Sequence, residues 1–217
     1  MYKCCIFDLD GTLVNTIDSL SRSVSLTMNH FGYGDVDVAH TKVFVGDGYK
    51  KLVERALIYS GDEALTHYDE ALGVYREIFK ENSLYRAEAY DGIPELLEFL
   101  KERGIKIGIL TNKPHDRAVE CAEAVFEKGY FDLIIGEGKG VVCKPDPSGV
   151  WMAAEHFQAK PEECLYFGDT DTDMKTGLNA GMDTVAVTWG FRGREELEAF
   201  QPKYVIDHPS EIKSVFE

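Results

Sequence analysis

The side chains in this sequence best suited to chemistry are carboxylates, and they come in two close groups. Asp8 and Asp10 stand two apart in Asp8-Leu9-Asp10-Gly11-Thr12, directly after a short apolar run. Asp169, Asp171 and Asp173 alternate in Gly168-Asp169-Thr170-Asp171-Thr172-Asp173, after another such run. In an extended chain, residues two apart lean to the same side, so Asp8 and Asp10 face one spot. Adding Asp169 and Asp173 there crowds four carboxylates, which cannot all stay ionised without something positive nearby. A hard divalent cation with oxygen ligands is the natural neutraliser. Mg²⁺ fits a site with few protein ligands and room for water and a phosphate. Lys144 is a second candidate countercharge. Thr111-Asn112-Lys113 and Lys144-Pro145-Asp146-Pro147 complete a set of four polar clusters, each following an apolar run.

The same residues also have simpler readings. Asp-Gly after a strand is a common turn, and Asp171 is placed to cap the helix that follows it. The alternating aspartates resemble the start of a calcium loop. That loop wants Gly sixth and Glu twelfth, where this chain has Met174 and Ala180. The glycine-rich stretch 136–140 has the wrong spacing for a dinucleotide or P-loop fingerprint. No Gly-x-Ser-x-Gly and no His-Glu-x-x-His occurs, and the six histidines show no ligand spacing.

The elements that must position these groups follow from periodicity. Strands are expected at 4–7, 105–110, 133–135, 164–167, 184–187 and 204–206. Most are apolar almost throughout, which implies burial on both faces and hence a parallel sheet. Between them lie helical patterns such as Ile93, Leu96, Leu97 and Leu100, and Pro147 reads as a first-turn proline capped by Asp146. Alternating strands and helices predict an open α/β fold with a Rossmann-like parallel sheet and helices on both faces. Ligands of such sheets bind at the carboxyl ends of the strands, where the four polar clusters would converge.

One region breaks the rhythm. For roughly 75 residues after the first strand no convincing strand occurs, far beyond an ordinary connection. Three helical stripes fill it: Ile17, Leu20, Val24, Met28 and Phe31; Tyr49, Leu52, Val53, Ala56 and Leu57; and Leu65, Tyr68, Leu72, Tyr75 and Phe79. Their aromatics read as core rather than ligand-binding. An all-helical cap domain over 15–82, inserted into a discontinuous core of 1–14 and 83–217, is therefore expected.

The chain has 217 residues, 44% hydrophobic and 28% charged, with 23 basic and 38 acidic side chains and a net charge of −15. Such an acidic chain repels phosphate backbones and anionic lipid, so neither nucleic acid nor a membrane is an expected partner. No apolar run is long enough to span a bilayer, and the run 1–7 is too short for a signal peptide. Five cysteines without a C-x-x-C pair support neither a disulfide framework nor a zinc site, and fit a reducing, cytoplasmic setting.

Taken together, Asp8-Leu9-Asp10-Gly11-Thr12-Leu13-Val14, Thr111-Asn112, Lys144-Pro145 and Gly168-Asp169-x-x-x-Asp173 resemble the four signature motifs of the haloacid-dehalogenase superfamily, in order and in spacing. The stretches Tyr90-Asp91-Gly92-Ile93-Pro94-Glu95-Leu96-Leu97, Ala180-Gly181-Met182 and Trp189-Gly190-Phe191 are similar to its phosphoglycolate phosphatase-like branch. The resemblance implies a phosphatase for a small phosphorylated metabolite, acting as monomer or homodimer. Asp8 would be the nucleophile, forming an aspartyl-phosphate, and Asp10 the general acid and base, its acid role needing a raised pKa that the acidic cluster would help supply. Asp8, the Asp10 main-chain carbonyl and Asp169 would bind Mg²⁺, with Asp173 behind them. Thr111 and Asn112 would hold phosphate oxygens, Lys144 would offset charge, and Gly11 would permit close backbone approach. The substrate implied is phosphoglycolate-like. Sugar-phosphate mutases of the β-phosphoglucomutase kind, pyrophosphatases and nucleotidases of the same superfamily share these residues. Dehalogenases proper lack the aspartate two after the nucleophile. A phospho-accepting signalling domain is the non-enzymatic alternative, although such domains lack a long helical insert. Gly46-Asp47-Gly48, before the second helical stripe, could offer amides to a substrate anion, or could be an ordinary turn. Arg22, Lys50, Lys51 and Arg55 are further candidates for specificity.

Overall fold

The apolar runs become strands because both of their faces are covered. The computed structural model describes residues 1–138 and 140–216; Lys139 of the glycine-rich stretch and Glu217 lie outside them. β1 (Cys4–Phe7) is buried at every residue. The chain crosses through β2 (Val14–Asn15) into four helices, α1 (Ile17–His30), α2 (Val38–Phe44), α3 (Tyr49–Tyr59) and α4 (Tyr68–Asn82). It returns through β3 (Glu88–Ala89), antiparallel to β2. Helices and strands then alternate: α5 (Ile93–Glu102), β4 (Lys106–Pro114), α6 (His115–Phe126), β5 (Leu133–Glu137), α7 (Ser148–His156), β6 (Cys164–Gly168), α8 (Asp171–Ala180), β7 (Asp183–Val187), α9 (Arg194–Glu198) and β8 (Tyr204–Ile206).

The six longer strands form one sheet in the order β5-β4-β1-β6-β7-β8, every pair parallel. The pleat sends neighbouring residues to opposite faces. Phe7 and Phe167 join Leu96, Leu97 and Cys121 from α5 and α6 on one face. Ile6 and Tyr166 join Val150 and Ala153 from α7 on the other. β1 has β4 on one side and β6 on the other, so a crevice opens at its carboxyl end, where the connections part.

The four helices before β3 bury a separate apolar cluster that includes Leu20, Val24, Met28, Leu52, Leu57, Tyr75 and Phe79. Four helices stand where three were expected. α2 lacked an apolar stripe because only Thr41 of its seven residues is buried; it is held by its cap, Asp37, which accepts from His40 N (2.8 Å). Leu65 belongs to no helix. It sits at φ 55° in a turn built on buried Asp62, whose carboxylate accepts from the main-chain N–H of Thr66 and His67. β4 runs four residues beyond the expected Leu110 and carries Thr111, Asn112 and Lys113 on its register-shifted end, paired to Glu137 through Pro114. Two helix starts also move by a residue. Thr170, not Asp171, caps α8, and α7 begins at Ser148 with Asp146 Oδ1 accepting from its N–H (2.9 Å).

Phe7 and Phe167 stack at 4.4 Å across β1 and β6, at the middle of the sheet. Phe7→Ala is expected to lower unfolding stability by about 3–5 kcal/mol, read from the urea midpoint. A loss below about 1 kcal/mol, the size of a surface effect, would contradict a central packing role.

Candidate active site

Asp8 leaves the sheet at its centre. Its N–H still donates to Phe167 O on β6 (2.9 Å), so the residue is fixed at the carboxyl edge of β1. The chain then closes a tight loop, with Leu13 and Val14 N–H both donating to Leu9 O. Gly11 sits at φ 88°, where a side chain is strained, and a Cβ there would collide with the Asp169 carboxylate. The loop thus brings the first acidic motif against the last.

Asp169 follows β6. Thr12 Oγ1 donates to its Oδ1 (2.9 Å) and Phe191 N–H to its Oδ2 (2.8 Å). Gly190 permits that approach, since a Cβ on it would overlap Asp169. Asp173, in the first turn of α8, spends both oxygens on the protein. Oδ1 accepts from Lys144 Nζ (2.6 Å) and Tyr166 OH (3.0 Å), and Oδ2 from Thr170 N (3.0 Å) and Oγ1 (2.6 Å). Lys144 Nζ also lies 2.8 Å from Asp8 Oδ1. One ammonium thus ties Asp8 to Asp173, and no neutral donor accompanies it on Asp8 Oδ1 among the described residues.

One ammonium, paired with Asp8 and Asp173, therefore serves a cluster of three buried carboxylates, Asp169 included, whose oxygens approach within 4.8 Å of one another. Burial pushes the Asp8 carboxyl up to about 7; Lys144 pulls it down, and Asp173 and Asp10 add to the rise. Burial also carries Asp169 well above the usual carboxylate range, helped by Asp173 and then Asp8. Burial opposes the charge on Lys144, yet Asp173 and Asp8 hold it well above an ordinary lysine. The shortage of positive charge fits a hard cation with oxygen ligands. Asp8 and Asp169 have lone pairs to offer it, whereas those of Asp173 are engaged.

Asp10 stands apart from this cluster. Its Oδ1 accepts from Thr16 Oγ1 (2.7 Å) and from Lys113 Nζ (2.7 Å). The Lys113 side chain is 2% exposed and lies 5.0 Å from the Phe79 ring of α4. Asn112 is engaged within the protein through its side chain. Its side chain donates to Gly46 O and Lys144 O (both 3.1 Å) and accepts from Lys144 N (2.8 Å). It ties the sheet edge to the loop before α3, so any hold on phosphate falls to its main-chain N–H. Thr111 is buried beside it, its hydroxyl accepting from Lys113 N (3.2 Å).

Sequence reasoning assigned no role to Thr12, Thr16, Lys113, Tyr166, Thr170 or the Phe191 N–H. Only Lys113 carried a visible signal, as a lysine beside an apolar run. The others act through approaches that only the fold creates.

These groups floor a chamber roofed by the helices, with about 530 Å³ of empty volume counted out to its open mouth. Gly46 (φ 119°) and Gly48 (φ 84°) line it. Asp47 is engaged elsewhere, with Arg55 and Thr172. Tyr75 and Phe79, expected to be core alone, are both core and chamber wall. The four candidate cations are engaged elsewhere and none lines the chamber: Arg22 on Asn82, Lys50 on Glu137, Lys51 on Glu54 and Arg55 on Asp47.

Residues 5–187 match the haloacid dehalogenase-like hydrolase family. The chain is 29% identical over 215 residues to a phosphoglycolate phosphatase of Aquifex aeolicus, covering 99% of this chain and 97% of that protein. It is 32% identical over 207 residues to the pyrophosphatase PpaX of Bacillus mycoides, covering 95% and 93%. A crystal structure from Lactobacillus delbrueckii subsp. bulgaricus, provisionally named a phosphoglycolate phosphatase, superposes with a TM-score of 0.93 at 27% identity, over 99% of this chain and 98% of that one.

A raised carboxyl pKa means that the folded form binds more protons than the unfolded one. Without metal, the Asp8 contribution to stability therefore worsens as pH climbs from about 4 to about 7. Asp8→Asn removes that cost. In EDTA at pH 8 the variant is expected to melt at least about 3 °C above wild type, with the gap closing towards pH 4. A variant less stable than wild type at pH 8 would contradict the charge balance.

Proposed function

The chain belongs to the haloacid dehalogenase-like hydrolase family and is a phosphatase, and from that premise we propose that it hydrolyses a small phosphate monoester, with Mg²⁺, through an aspartyl-phosphate on Asp8. The observation that carries the reading is the Asp8 carboxylate: central at the sheet edge, buried, and ion-paired at 2.8 Å with Lys144, which holds it at the mouth of the polar clusters. A carboxylate so placed can act as a nucleophile.

The first step forms a bond from an Asp8 oxygen to phosphorus and breaks the bond from phosphorus to the leaving oxygen. Asp10 gives that oxygen a proton. Thr16 and Lys113 both hold Oδ1 of Asp10, so Oδ2 is the atom left to carry it. Water then attacks the phosphorus with Asp10 as base, returning Asp8 as carboxylate. Thr111, the Asn112 N–H and Lys144 hold the phosphoryl oxygens and oppose their charge. Asp8, Asp169 and the Asp10 main-chain carbonyl would hold Mg²⁺, which when bound offsets the negative charge of phosphate and carboxylates. Asp173, with its four donors, keeps Lys144 in place.

We take residues 15–82 as a cap and 1–14 with 83–217 as the core. The separate apolar cluster of the helices and the β2–β3 ribbon at the junction support that division. The loop bearing Gly46 and Gly48 belongs to the cap and reaches the site through Asn112. Sugar-phosphate mutases would use the same core residues; hydrolysis is favoured because the relatives' names are those of hydrolases.

Release of phosphate from a generic aryl phosphate tests the reading. Wild type is expected to need Mg²⁺, and Asp8→Asn to lose at least about 10³-fold in kcat. Metal-independent release, or release that survives Asp8→Asn, would sink it. Gly48→Ala forces a side chain into φ 84° facing Asn112. It is expected to raise KM several-fold with kcat largely kept, and an equal fall in kcat would remove this loop from substrate binding.

A further inference from the structure

The floor of the chamber is charged and its walls are not. Leu20, Val45, Leu52, Phe79 and Phe191 supply apolar surface. Among the described residues only two cations line the chamber, and both are committed: Lys113 to Asp10, and Lys144 to Asp8 and Asp173. Arg192 lies just behind Gly46 and is anchored on the carbonyls of Lys42 and Val45. A leaving group with its own carboxylate or second phosphate would lose water against aliphatic and aromatic walls with no free cation to meet it, which is costly. The amino end of α3 opens here through Gly48 and Tyr49. A helix end offers a partial charge of about +0.5, against the full charge of a carboxylate.

Tyr75 brings a deeply placed hydroxyl to the wall. It is 1% exposed, and its ring stacks between Tyr49 (6.0 Å) and Phe79 (5.5 Å). Its hydroxyl makes no hydrogen bond among the described residues and opens on the chamber. Burial, and then the charge of Asp10, raise the phenol pKa, so the group stays a donor. The stacked rings hold it where a ligand can complete it. The chamber's empty volume, about 530 Å³ counted out to its open mouth, is shared with the phosphoryl group, which leaves room for a short leaving group.

Resting on the phosphatase reading, we propose that the preferred substrate is the phosphate ester of a short, uncharged alcohol. Its carbons lie against Leu20, Leu52 and Phe79, and one further oxygen accepts a hydrogen bond from Tyr75. This names a leaving-group class distinct from the carboxylate of phosphoglycolate and the second phosphate of pyrophosphate.

A matched pair of esters tests the charge. 2-Hydroxyethyl phosphate differs from phosphoglycolate only in bearing a CH₂OH in place of the carboxylate. Wild type with Mg²⁺ is expected to show at least a tenfold higher kcat/KM for the neutral ester, roughly 1.4 kcal/mol. Tyr75→Phe should raise KM for 2-hydroxyethyl phosphate about 3–10-fold, the worth of one hydrogen bond, and leave n-propyl phosphate unchanged. Leu52→Arg should turn the preference towards phosphoglycolate, and if it fails to fold the wild-type comparison still decides. Equal or faster hydrolysis of phosphoglycolate by wild type would overturn the proposal and point to the α3 amino end as a carboxylate seat. Equal losses on both neutral esters in Tyr75→Phe would overturn the role of Tyr75. Release from no ester at all, aryl phosphate included, would instead defeat the phosphatase reading beneath it.

Discussion

Three buried carboxylates around one ammonium are the constraint on which this molecule turns. Asp8, Asp169 and Asp173 crowd a space that Lys144 alone cannot neutralise. Left to itself, such a cluster would protonate or let water in. It is held in place by directed donors, from Thr12 and the Phe191 N–H on Asp169 and from Tyr166 and Thr170 on Asp173. Asp8 has only the shared ammonium of Lys144 on its Oδ1. The least compensated of the three carboxylates is the one proposed as the nucleophile.

The fold supplies what the cluster needs. A parallel sheet with both faces buried puts the ends of β1, β4 and β6 side by side, and each end carries one polar motif. Gly11 and Gly190 let backbone approach where any Cβ would strike Asp169. The register shift at the end of β4 turns Lys113 towards Asp10, while Asn112 joins sheet, Lys144 and the Gly46 loop through its three hydrogen bonds. The helices close the site with a wall of different character, aliphatic and aromatic, with tyrosine hydroxyls from Tyr49 and Tyr75. On the proposed reading, charge on the floor serves phosphoryl transfer and the wall selects the alcohol.

Much of this was legible in the sequence where one physical cause acts alone. Strands buried on both faces must be apolar throughout, so 4–7 and 164–167 announced themselves. Carboxylates at strand ends have few structural reasons to cluster, so Asp8, Asp10 and Asp169 stood out. Legibility failed where two causes compete. α2 is short and mostly exposed, so no periodicity marked it. Lys113 stands in one of the polar clusters, but nothing in the sequence shows that it is buried; the packing of Phe79 and the pairing with Asp10 do. Tyr75 and Phe79 were assigned to the core on their spacing, and they are core, but one edge of each faces the chamber. Spacing reports which face of a helix is apolar, and both destinations satisfy it.

The central claim is that Asp8 itself takes the phosphoryl group, and trapping that intermediate tests it most directly. Asp10→Asn removes the base for the second step, so the first can run ahead of it. Protein carrying that substitution would be incubated with Mg²⁺ and an aryl phosphate, quenched in acid, digested and examined by mass spectrometry. The account predicts a phosphoryl adduct on Asp8, absent when Asp8 is also replaced by Asn. Phosphate release with no adduct at any time, or an adduct on a different residue, would contradict it.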